Sequence, residues 1–388
     1  MKILLINLPY QGHVIPTLGL AAELIRLGCQ VSYMLPYGWE DTVARSGADF
    51  LGYQNHRQLS EQIRNAFAAA DAILPEFDLV LYEQFFFLGK HLAERHQKPA
   101  VRIFTAPVTN RALMDQFIQA KGPMHLFRHK WIARAFTKDI ARGIPMQTDN
   151  WLDEIILNPP GLNLVYTLRQ YQPFEADFPE PQYRFLGPSV YDRREPPFDL
   201  QTEGRPLVYI SLGTVLRRQT AFFRLCAQAF RDADVDVVIS AGQGFDQRKL
   251  KNIPPNVRFY PCVPQVEVLK MADAFVTHGG MNSISEALAC KVPMVVIPFV
   301  SDQSVNARSM ESLGVARQLS HSGLTEGVLR DAVLSVMRDP GIRSRLEDVA
   351  QLIARAPGNR GGAEMILDYY RQQTGSAPAC GKRKNHGI

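Results

Sequence analysis

The chain has 388 residues, 46% of them hydrophobic, which is more than one ordinary core accommodates, so its length predicts two domains. The net charge is +5, but three cations at 382–384 lie in a terminal tail, and without them it falls to +2. This excludes the strongly basic surface of a nucleic-acid-binding protein. Five cysteines are scattered without CxxC spacing, which excludes a disulfide framework or a structural zinc site and predicts a reducing, cytoplasmic compartment.

The first eight residues, "MKILLINL", are apolar after one lysine, as in a secretory signal peptide. This run ends at Pro9, is too short for that role and has no small-residue cleavage site, so it predicts a first β-strand instead. No apolar run reaches about 18 residues, and therefore no transmembrane helix is expected.

Short apolar runs then alternate with amphipathic ones, which is the pattern of βαβ units. The first unit is predicted as a strand at 3–8, a helix at 16–27 with Pro16 in its first turn and Gly28 just past its end, and a strand at 30–35. Further strands are predicted at 79–82, 100–104 and 164–167, and helices at 88–96 and within 111–140.

A Pro-, Arg- and Asp-rich stretch at 188–206 predicts an interdomain linker, after which the alternation resumes. Continuous apolar runs such as "LVYI" and "MVVI" are typical of buried parallel strands. Strands are predicted at 207–211, 235–240, 257–260, 274–277 and 294–297, and helices at 220–231, 266–271, 282–290, 305–313, 325–336 and 343–353.

These patterns predict an α/β fold of two doubly wound domains, at 1–195 and 196–360. A last helix within 361–375, able to pack back on the first domain, and a flexible tail at 376–388 are expected to follow. Ligands of such sheets bind at the carboxyl ends of the strands, so the predicted site lies in a cleft between the two facing domains.

The stretch "HGGMNSISE" joins a predicted strand to a predicted helix. Unpaired N–H groups at a helix start favour an anion, glycines such as Gly280 let it approach the backbone, and Asn282 and Ser283 add donors. His278 would bond a second phosphate oxygen, and Glu286, one turn further on the same face, would accept from a ribose diol. The glycines and Asn282 alone would also suit an ordinary turn and N-cap, but the complete spacing predicts a nucleoside diphosphate site.

The segment at 264–307 closely resembles the donor-binding signature of family 1 UDP-glycosyltransferases, especially the bacterial branch acting on macrolides and other natural products. The resemblance implies the GT-B fold, with two Rossmann-like domains facing across a cleft, and inverting chemistry. It places Val263 and Gln265 near the base and ribose, Asp302 and Gln303 at the sugar hydroxyls, and Thr214 at a phosphate. Cys262 stands where the family often has a base-stacking Trp, so the choice between UDP and TDP stays open.

The motif "NLPYQGHVIP" puts His13 in the first βα loop, where the resemblance implies the catalytic base that deprotonates the acceptor. The usual Asp partner of that base is replaced by Glu83 in "DLVLYEQFFF". A solvated loop histidine is the alternative for His13. The implied reaction needs no metal, because the helix start stabilises the leaving diphosphate. The DxD-like stretch at 232–236 is predicted to be a solvated turn.

Acceptor contacts are predicted for Phe85, Phe86 and Phe87, although such residues also form cores. Further candidates in the long helical region are Met114, Phe117, Met124, Phe127, Trp131 and Phe136. Seven Lys and Arg residues between 111 and 142 form either a solvated helix face or a basic surface for anionic lipid.

The sequence therefore predicts an inverting glycosyltransferase that moves a hexose from a UDP- or TDP-sugar to a hydroxyl of a small apolar macrolide, polyketide or phenolic product. No cofactor beyond the donor, no metal and no nucleic-acid partner are expected, and the chain is expected to be a monomer or weak dimer. The alternatives are a lipid or sterol glycosyltransferase at a membrane surface, a nucleotide-sugar epimerase, and a non-catalytic nucleotide-sugar-binding helper of a partner transferase.

Overall fold

The computed structural model describes residues 1–119, 123–142, 144, 146, 148–189, 197–200, 204–213, 216, 219–250 and 252–375. The chain divides into two compact units. The first unit combines residues 1–191 with the C-terminal residues 356–388, and the second comprises residues 192–355. Each unit is built on its own sheet.

The described part of residues 1–191 contains seven strands and seven α-helices. The strands are β1 Lys2–Ile6, β2 Gln30–Pro36, β3 Asp49–Tyr53, β4 Leu79–Glu83, β5 Ala100–Phe104, β6 Leu162–Val165 and β7 Tyr183–Phe185. The helices are α1 Gln11–Arg26, α2 Glu40–Ala44, α3 Leu59–Ile73, α4 Gly89–Arg95, α5 Arg111–Gln119, α6 Lys130–Ile140 and α7 Trp151–Leu157.

The sheet of the first unit has the strand order β3-β2-β1-β4-β5-β6-β7, with parallel pairing throughout. Alternate residues of β1 serve two cores, because successive side chains of a strand point to opposite faces. Ile3 and Leu5 belong to one core, whereas Leu4 and Ile6 belong to the other. The strand order reverses between β1 and β4, and the carboxyl ends of strands at such a point are where doubly wound sheets bind ligands.

The largest shift of a predicted boundary in the first unit is at the start of α1. Helix α1 begins at Gln11, five residues before Pro16, because the Tyr10 carbonyl accepts from the N–H groups of both His13 and Val14 and starts the helix there. Pro16 is tolerated inside the helix because it removes only one hydrogen bond near the start. The described part of region 111–140 is helical as predicted, with a 3₁₀ helix at Pro123–Arg128 between α5 and α6.

The second unit contains six strands and six helices in its described part. The strands are β8 Leu207–Ser211, β9 Asp236–Ser240, β10 Val257–Tyr260, β11 Ala274–Thr277, β12 Met294–Val296 and β13 Ala316–Gln318. The helices are α8 Thr220–Ala229, α9 Gln265–Leu269, α10 Met281–Ala289, α11 Ser301–Ser312, α12 Glu326–Arg338 and α13 Pro340–Arg355. Its sheet has the order β10-β9-β8-β11-β12-β13, again parallel, and reverses between β8 and β11.

The last helix, α14 Gly358–Thr374, belongs to the first unit and packs against α1. Its buried residues Ala363, Ile366 and Leu367 join the core on that face of the sheet. The Tyr166 hydroxyl donates to Asn359 Oδ1 over 2.6 Å and ties the start of the helix to the end of β6. Residues 356–374 therefore complete the core begun by the first 190 residues.

The predicted linker at 188–206 carries neither helix nor strand in the part that the structure describes. The flexible tail predicted at 376–388 lies outside the described residues. None of the helices in the described ranges is long and apolar enough to cross a membrane.

Candidate active site

A hydrogen-bonded trio lies at the carboxyl ends of β1, β4 and β5. His13 Nδ1 lies 2.8 Å from Glu83 Oε1 and 2.8 Å from Thr105 Oγ1, while the Thr105 hydroxyl donates to the same Glu83 oxygen over 3.0 Å. A carboxylate only accepts, so the His13 proton resides on Nδ1. The other ring nitrogen, Nε2, is thereby left in the form that accepts a proton.

The Glu83 carboxylate is fully buried, and its hydrogen bonds hold it in place. Besides the two bonds to Oε1, Oε2 accepts from the N–H of Phe85 over 2.9 Å. Charge-assisted bonds of this kind offset the cost of burying a carboxylate. Glu83 and His13, which the sequence predicts as partners, are thus brought together.

The sequence predicted His13 in the loop before α1, but His13 lies in the first turn of that helix. The Asn7 amide donates to the His13 carbonyl over 2.9 Å and to the Tyr33 hydroxyl over 3.1 Å. Thr17 Oγ1 lies 2.6 Å from that hydroxyl. This buried network fixes the backbone from which the imidazole projects.

The three consecutive phenylalanines after β4 have different surroundings. Phe86 and Phe87 are buried in the core, so their predicted role in acceptor contact is wrong. Phe85 remains exposed and lies beside His13, with ring centroids 4.4 Å apart. Tyr10, which the sequence analysis did not select, is also exposed and lies within 6.1 Å of both rings.

Most of the apolar candidates between 111 and 140 that the structure describes are packed inside the first unit. Met114 is buried, and Phe127 and Phe136 pack against Trp151 in an aromatic cluster. Trp131 is the exposed member of the set, with 72% of its surface accessible. The side chain of Met124 lies outside the described residues.

In the second unit, the loop between β11 and α10 is shaped by its histidine. A Cβ on Gly213 would lie 2.7 Å from the His278 ring, and a Cβ on Gly280 would lie 2.5 Å from it. A Cβ on Gly279, which has φ +89°, would lie 2.8 Å from Val296 Cγ1. Packing around the imidazole therefore requires Gly213 and Gly280, and packing against Val296 requires Gly279, in addition to any approach of an anion.

The His278 side chain is enclosed by that packing. Burial lowers the pKa of His278 from 6.5 to about 4, although a hydrogen bond to the Ser211 backbone acts in the opposite direction. Its Nδ1 is buried and has no hydrogen-bond partner among the described residues. His278 is consequently neutral at pH 7 and presents an imidazole, not an imidazolium, to any ligand of this loop.

The loop is held from outside by a residue for which the sequence predicts no role. Asn306, on α11, donates from its amide to the Gly279 carbonyl over 2.9 Å and is buried. Gly280 forms the N-cap of α10, which starts at Met281. Asn282 lies in the first turn of that helix and is half-buried.

A second polar group joins α9 to α10. The Gln265 amide donates to Glu286 Oε2 over 2.7 Å and to Ser283 Oγ over 3.3 Å, while the buried Tyr209 hydroxyl donates to Gln265 Oε1 over 3.1 Å. The predicted residues Gln265, Ser283 and Glu286 are thus neighbours, and all three can exchange hydrogen bonds with a diol. Val263, just before α9, is buried.

The two residues predicted to bind the sugar, Asp302 and Gln303, differ in solvent exposure. Asp302 is exposed in the first turn of α11, whereas Gln303 is buried. Gln303 Oε1 accepts from the N–H groups of Phe299 and Val300 over 2.9 and 3.2 Å, which leaves its amide nitrogen as the group that can donate outward. Thr214 lies outside the described residues.

Other polar groups of the second unit have structural surroundings. Asp232 and Asp234 are exposed as predicted, but Asp236 is buried at the start of β9 and pairs with Arg205 Nη2 at 3.0 Å. Among the described residues, no group of three or more His, Cys, Asp or Glu side chains is placed to hold a metal ion. Cys262 is exposed beside Val263.

Solved structures with the same arrangement of two parallel α/β sheets are glycosyltransferases. The glycosyltransferase of kitacinnamycin matches with a TM-score of 0.83 and 28% identity, covering 95% of this chain and 99% of that chain. CalG4, the calicheamicin glycosyltransferase, matches with a TM-score of 0.80 and 27% identity, covering 97% and 99%. The protein is therefore of the GT-B class, as predicted.

Sequence comparison identifies the family. Residues 198–353 match the family described as UDP-glucoronosyl and UDP-glucosyl transferase. The NDP-glycosyltransferase YjiC of Bacillus licheniformis is 31% identical over 394 aligned residues, covering 94% of this chain and 96% of that protein. The oleandomycin glycosyltransferase of Streptomyces antibioticus is 29% identical, covering 94% and 90%. The chain belongs to this family, family 1 of the glycosyltransferases, and is a glycosyltransferase.

Proposed function

We propose that this glycosyltransferase moves a hexose from a UDP- or TDP-sugar to a hydroxyl of a small apolar natural product, with inversion at the anomeric carbon. The observation that carries the proposal is the bond between His13 Nδ1 and the buried Glu83 carboxylate, 2.8 Å long. It sets the tautomer that a general base requires, with Nε2 free to take a proton.

The proposed transfer is a single displacement at the anomeric carbon. Nε2 of His13 takes the proton of the acceptor hydroxyl while its oxygen forms a bond to the anomeric carbon. The bond from that carbon to the diphosphate oxygen breaks, and the electron pair leaves with the nucleoside diphosphate. Because attack comes from the side opposite the leaving group, the configuration inverts. Glu83 stabilises the imidazolium that forms and is not itself protonated.

The second unit supplies the proposed donor site. The N–H groups at the start of α10 face the developing charge of the diphosphate, and Asn282 and Ser283 add side-chain donors. Neutral His278 has one N–H, which bonds the Ser211 backbone, so its imidazole shapes the loop and does not donate to the diphosphate. Glu286 and Gln265 receive the ribose hydroxyls. The transfer is proposed to need no metal, since these groups neutralise the leaving group.

The proposed acceptor class is supported by the names of relatives and by the first unit. Oleandomycin glycosyltransferase and CalG4, the calicheamicin glycosyltransferase, are named for natural products. Exposed apolar rings next to His13 suit an acceptor of low polarity.

The test is a mass-spectrometric screen of UDP- and TDP-hexoses against macrolide and phenolic acceptors, followed by the His13→Ala variant. We expect a β-glycoside from an α-linked donor, and a loss of at least about a thousandfold in kcat with the variant, the size usual for a general base and its partners. UDP or TDP affinity, measured by calorimetry, should be retained. Unchanged turnover of His13→Ala would exclude the imidazole as base.

A further inference from the structure

Two exposed aromatic side chains border the His13 imidazole. Tyr10 is 42% exposed and Phe85 is 36% exposed, although the next two phenylalanines, Phe86 and Phe87, are almost completely buried. Large aromatic side chains contribute most when they are covered. A ring left in solvent beside a base, with its two neighbours in the core, indicates a surface that is covered by a ligand.

Both rings are attached to backbone that is fixed relative to the base. The Tyr10 carbonyl accepts from the N–H of His13, and the Tyr10 N–H donates to the Leu8 carbonyl over 2.7 Å. The Phe85 N–H donates to Glu83 Oε2. The backbone that carries both rings therefore cannot shift away from His13 without breaking hydrogen bonds to His13 and to its partner Glu83.

The three rings form one open cluster. The Phe85 and His13 centroids are 4.4 Å apart at 56°, Tyr10 and Phe85 are 5.9 Å apart at 65°, and Tyr10 and His13 are 6.1 Å apart at 74°. These tilted and edge-to-face geometries are the ones that aromatic groups prefer. A further flat ring can join the cluster in the same manner, which a saturated ring cannot do.

The chemistry of proton transfer favours the same acceptor. A phenolic hydroxyl has a pKa of about 10, whereas an aliphatic hydroxyl is a far weaker acid, comparable with water. A base such as imidazole therefore takes a proton more readily from a phenol at the moment of attack.

We propose that Tyr10 and Phe85 form an acceptor platform that selects planar aromatic alcohols, of phenol or naphthol type, over saturated alcohols of the same size. The proposal rests on the proposed function, because it assigns the acceptor that His13 deprotonates. Within the acceptor class given above, it favours phenolic products over macrolides and places the aglycone ring against Phe85 with its hydroxyl toward His13 Nε2.

The experiment compares 2-naphthol with its saturated counterpart, decahydro-2-naphthol, as acceptors at a saturating donor concentration. The readout is the ratio of their kcat/KM values. Phe85→Leu and Tyr10→Leu should each reduce this ratio about three- to tenfold, the size of one aromatic pair interaction. Because the acidity difference between the two alcohols is the same for every variant, a change in the ratio reports on the rings.

Two variants serve as controls. Tyr10→Phe keeps the ring and should keep the ratio. Tyr370→Leu removes an aromatic ring from α14, near Asp78 at the amino end of β4, away from the trio. It should leave the ratio unchanged even if it lowers stability.

Calorimetric binding of the two alcohols to the UDP or TDP complex separates the two proposals. Transfer with the same ratio in the Leu variants overturns the platform and leaves the transferase function intact. Planar-selective binding that the Leu variants lose, without sugar transfer, supports the platform and overturns the proposed function. Neither transfer nor planar-selective binding overturns both.

Discussion

Two residues orient the His13 imidazole: Glu83 at the end of β4 and Thr105 just after β5. Thr105 belongs to no recognisable sequence motif. Its hydroxyl bonds both Nδ1 of His13 and the carboxylate of Glu83. Glutamate has one more methylene than aspartate, and so its carboxylate has more freedom to turn. The third bond restricts that freedom, which makes Thr105 a positioning residue for the proposed base.

Thr105→Val should lower kcat about ten- to a hundredfold, since a hydrogen bond to a charged group contributes about 1.5–3 kcal/mol. Valine has the same shape, so the KM for the donor should not change. Thr105→Ser restores the hydroxyl and should recover most of the rate. Steady-state kinetics of the three proteins provides the test, and a Val variant as active as wild type would contradict the positioning role.

Buried His278 gives the stability of the second unit a pH dependence of known sign. Its pKa is lowered by burial to about 4, so between pH 6.5 and 4 the unfolded chain binds a proton that the folded chain does not. Stability should therefore fall as the pH falls through this window, by up to about 3 kcal/mol in total.

Urea unfolding of wild type and His278→Gln at pH 7.5, 6, 5 and 4.5 measures this contribution. The variant cannot take up the proton and should show a shallower loss of unfolding free energy on acidification. Parallel pH profiles for the two proteins would mean that His278 does not carry the effect.

At the scale of elements, the loop between β11 and α10 is packed on both sides. Gly279 has a positive φ and faces Val296, and Asn306 holds its carbonyl from α11. The loop thus joins β11 to α10 and also contacts β12 and α11. Its conformation depends on the bare α-carbon of Gly279.

Gly279→Ala should destabilise the second unit by about 2–5 kcal/mol, which adds a left-handed backbone penalty of about 1–2 to an overpacking cost of about 1–3. Gly323→Ala is the matched control, because Gly323 also has a positive φ (+76°) but nothing lies within 4 Å of its added Cβ. It should cost only the backbone penalty. Thermal unfolding with and without UDP measures both, and equal losses would exclude the collision with Val296.

Some helices and strands can be predicted from their local sequence, whereas others depend on contacts with distant residues. Strands 100–104, 207–211, 257–260 and 274–277 are predicted to the residue, because each is a short, mostly apolar run bounded by polar or Pro residues, as is typical of strands in a parallel sheet. Strand β3, with the sequence "DFLGY", escapes prediction because it lies at the sheet edge and has neither a long apolar run nor strict alternation. Periodicity also cannot show that α1 starts before Pro16, since that start depends on the Tyr10 carbonyl.

The same distinction applies to the site. His13, Glu83 and the residues around His278 belong to short motifs at strand ends, so sequence reasoning finds them. Thr105 and Asn306 act through neighbours that are remote in sequence and carry no motif of their own. Phe85 is exposed and Phe86 is buried because their side chains point in different directions after β4. The sequence of three consecutive phenylalanines does not show these directions.

At the scale of the molecule, the first unit is made of two chain segments. Helix α14 supplies Ala363, Ile366 and Leu367 to the core that β1 and α1 begin. Because hydrophobic burial is the main favourable term in folding, these residues stabilise a part of the protein that precedes them by more than 150 positions.

Ile366→Ala should lower the unfolding free energy of the first unit by about 2–5 kcal/mol, the range for a buried large-to-small change. Glu364→Ala, on the exposed face of the same helix, should change it by less than about 0.5 kcal/mol. Hydrogen exchange followed by mass spectrometry locates the effect. Faster exchange confined to residues 192–355 in the Ile366 variant would contradict the assignment of α14 to the first unit.

The interrupted first unit also has a consequence for biosynthesis. Domains generally fold as units as the nascent chain leaves the ribosome, N-terminal ones first. Here residues 192–355 form a continuous unit and are complete when they emerge, whereas residues 1–191 must wait for 356–374 before their apolar face is covered. The order of maturation is therefore reversed, and the earliest-made segment is the one that depends longest on protection from aggregation.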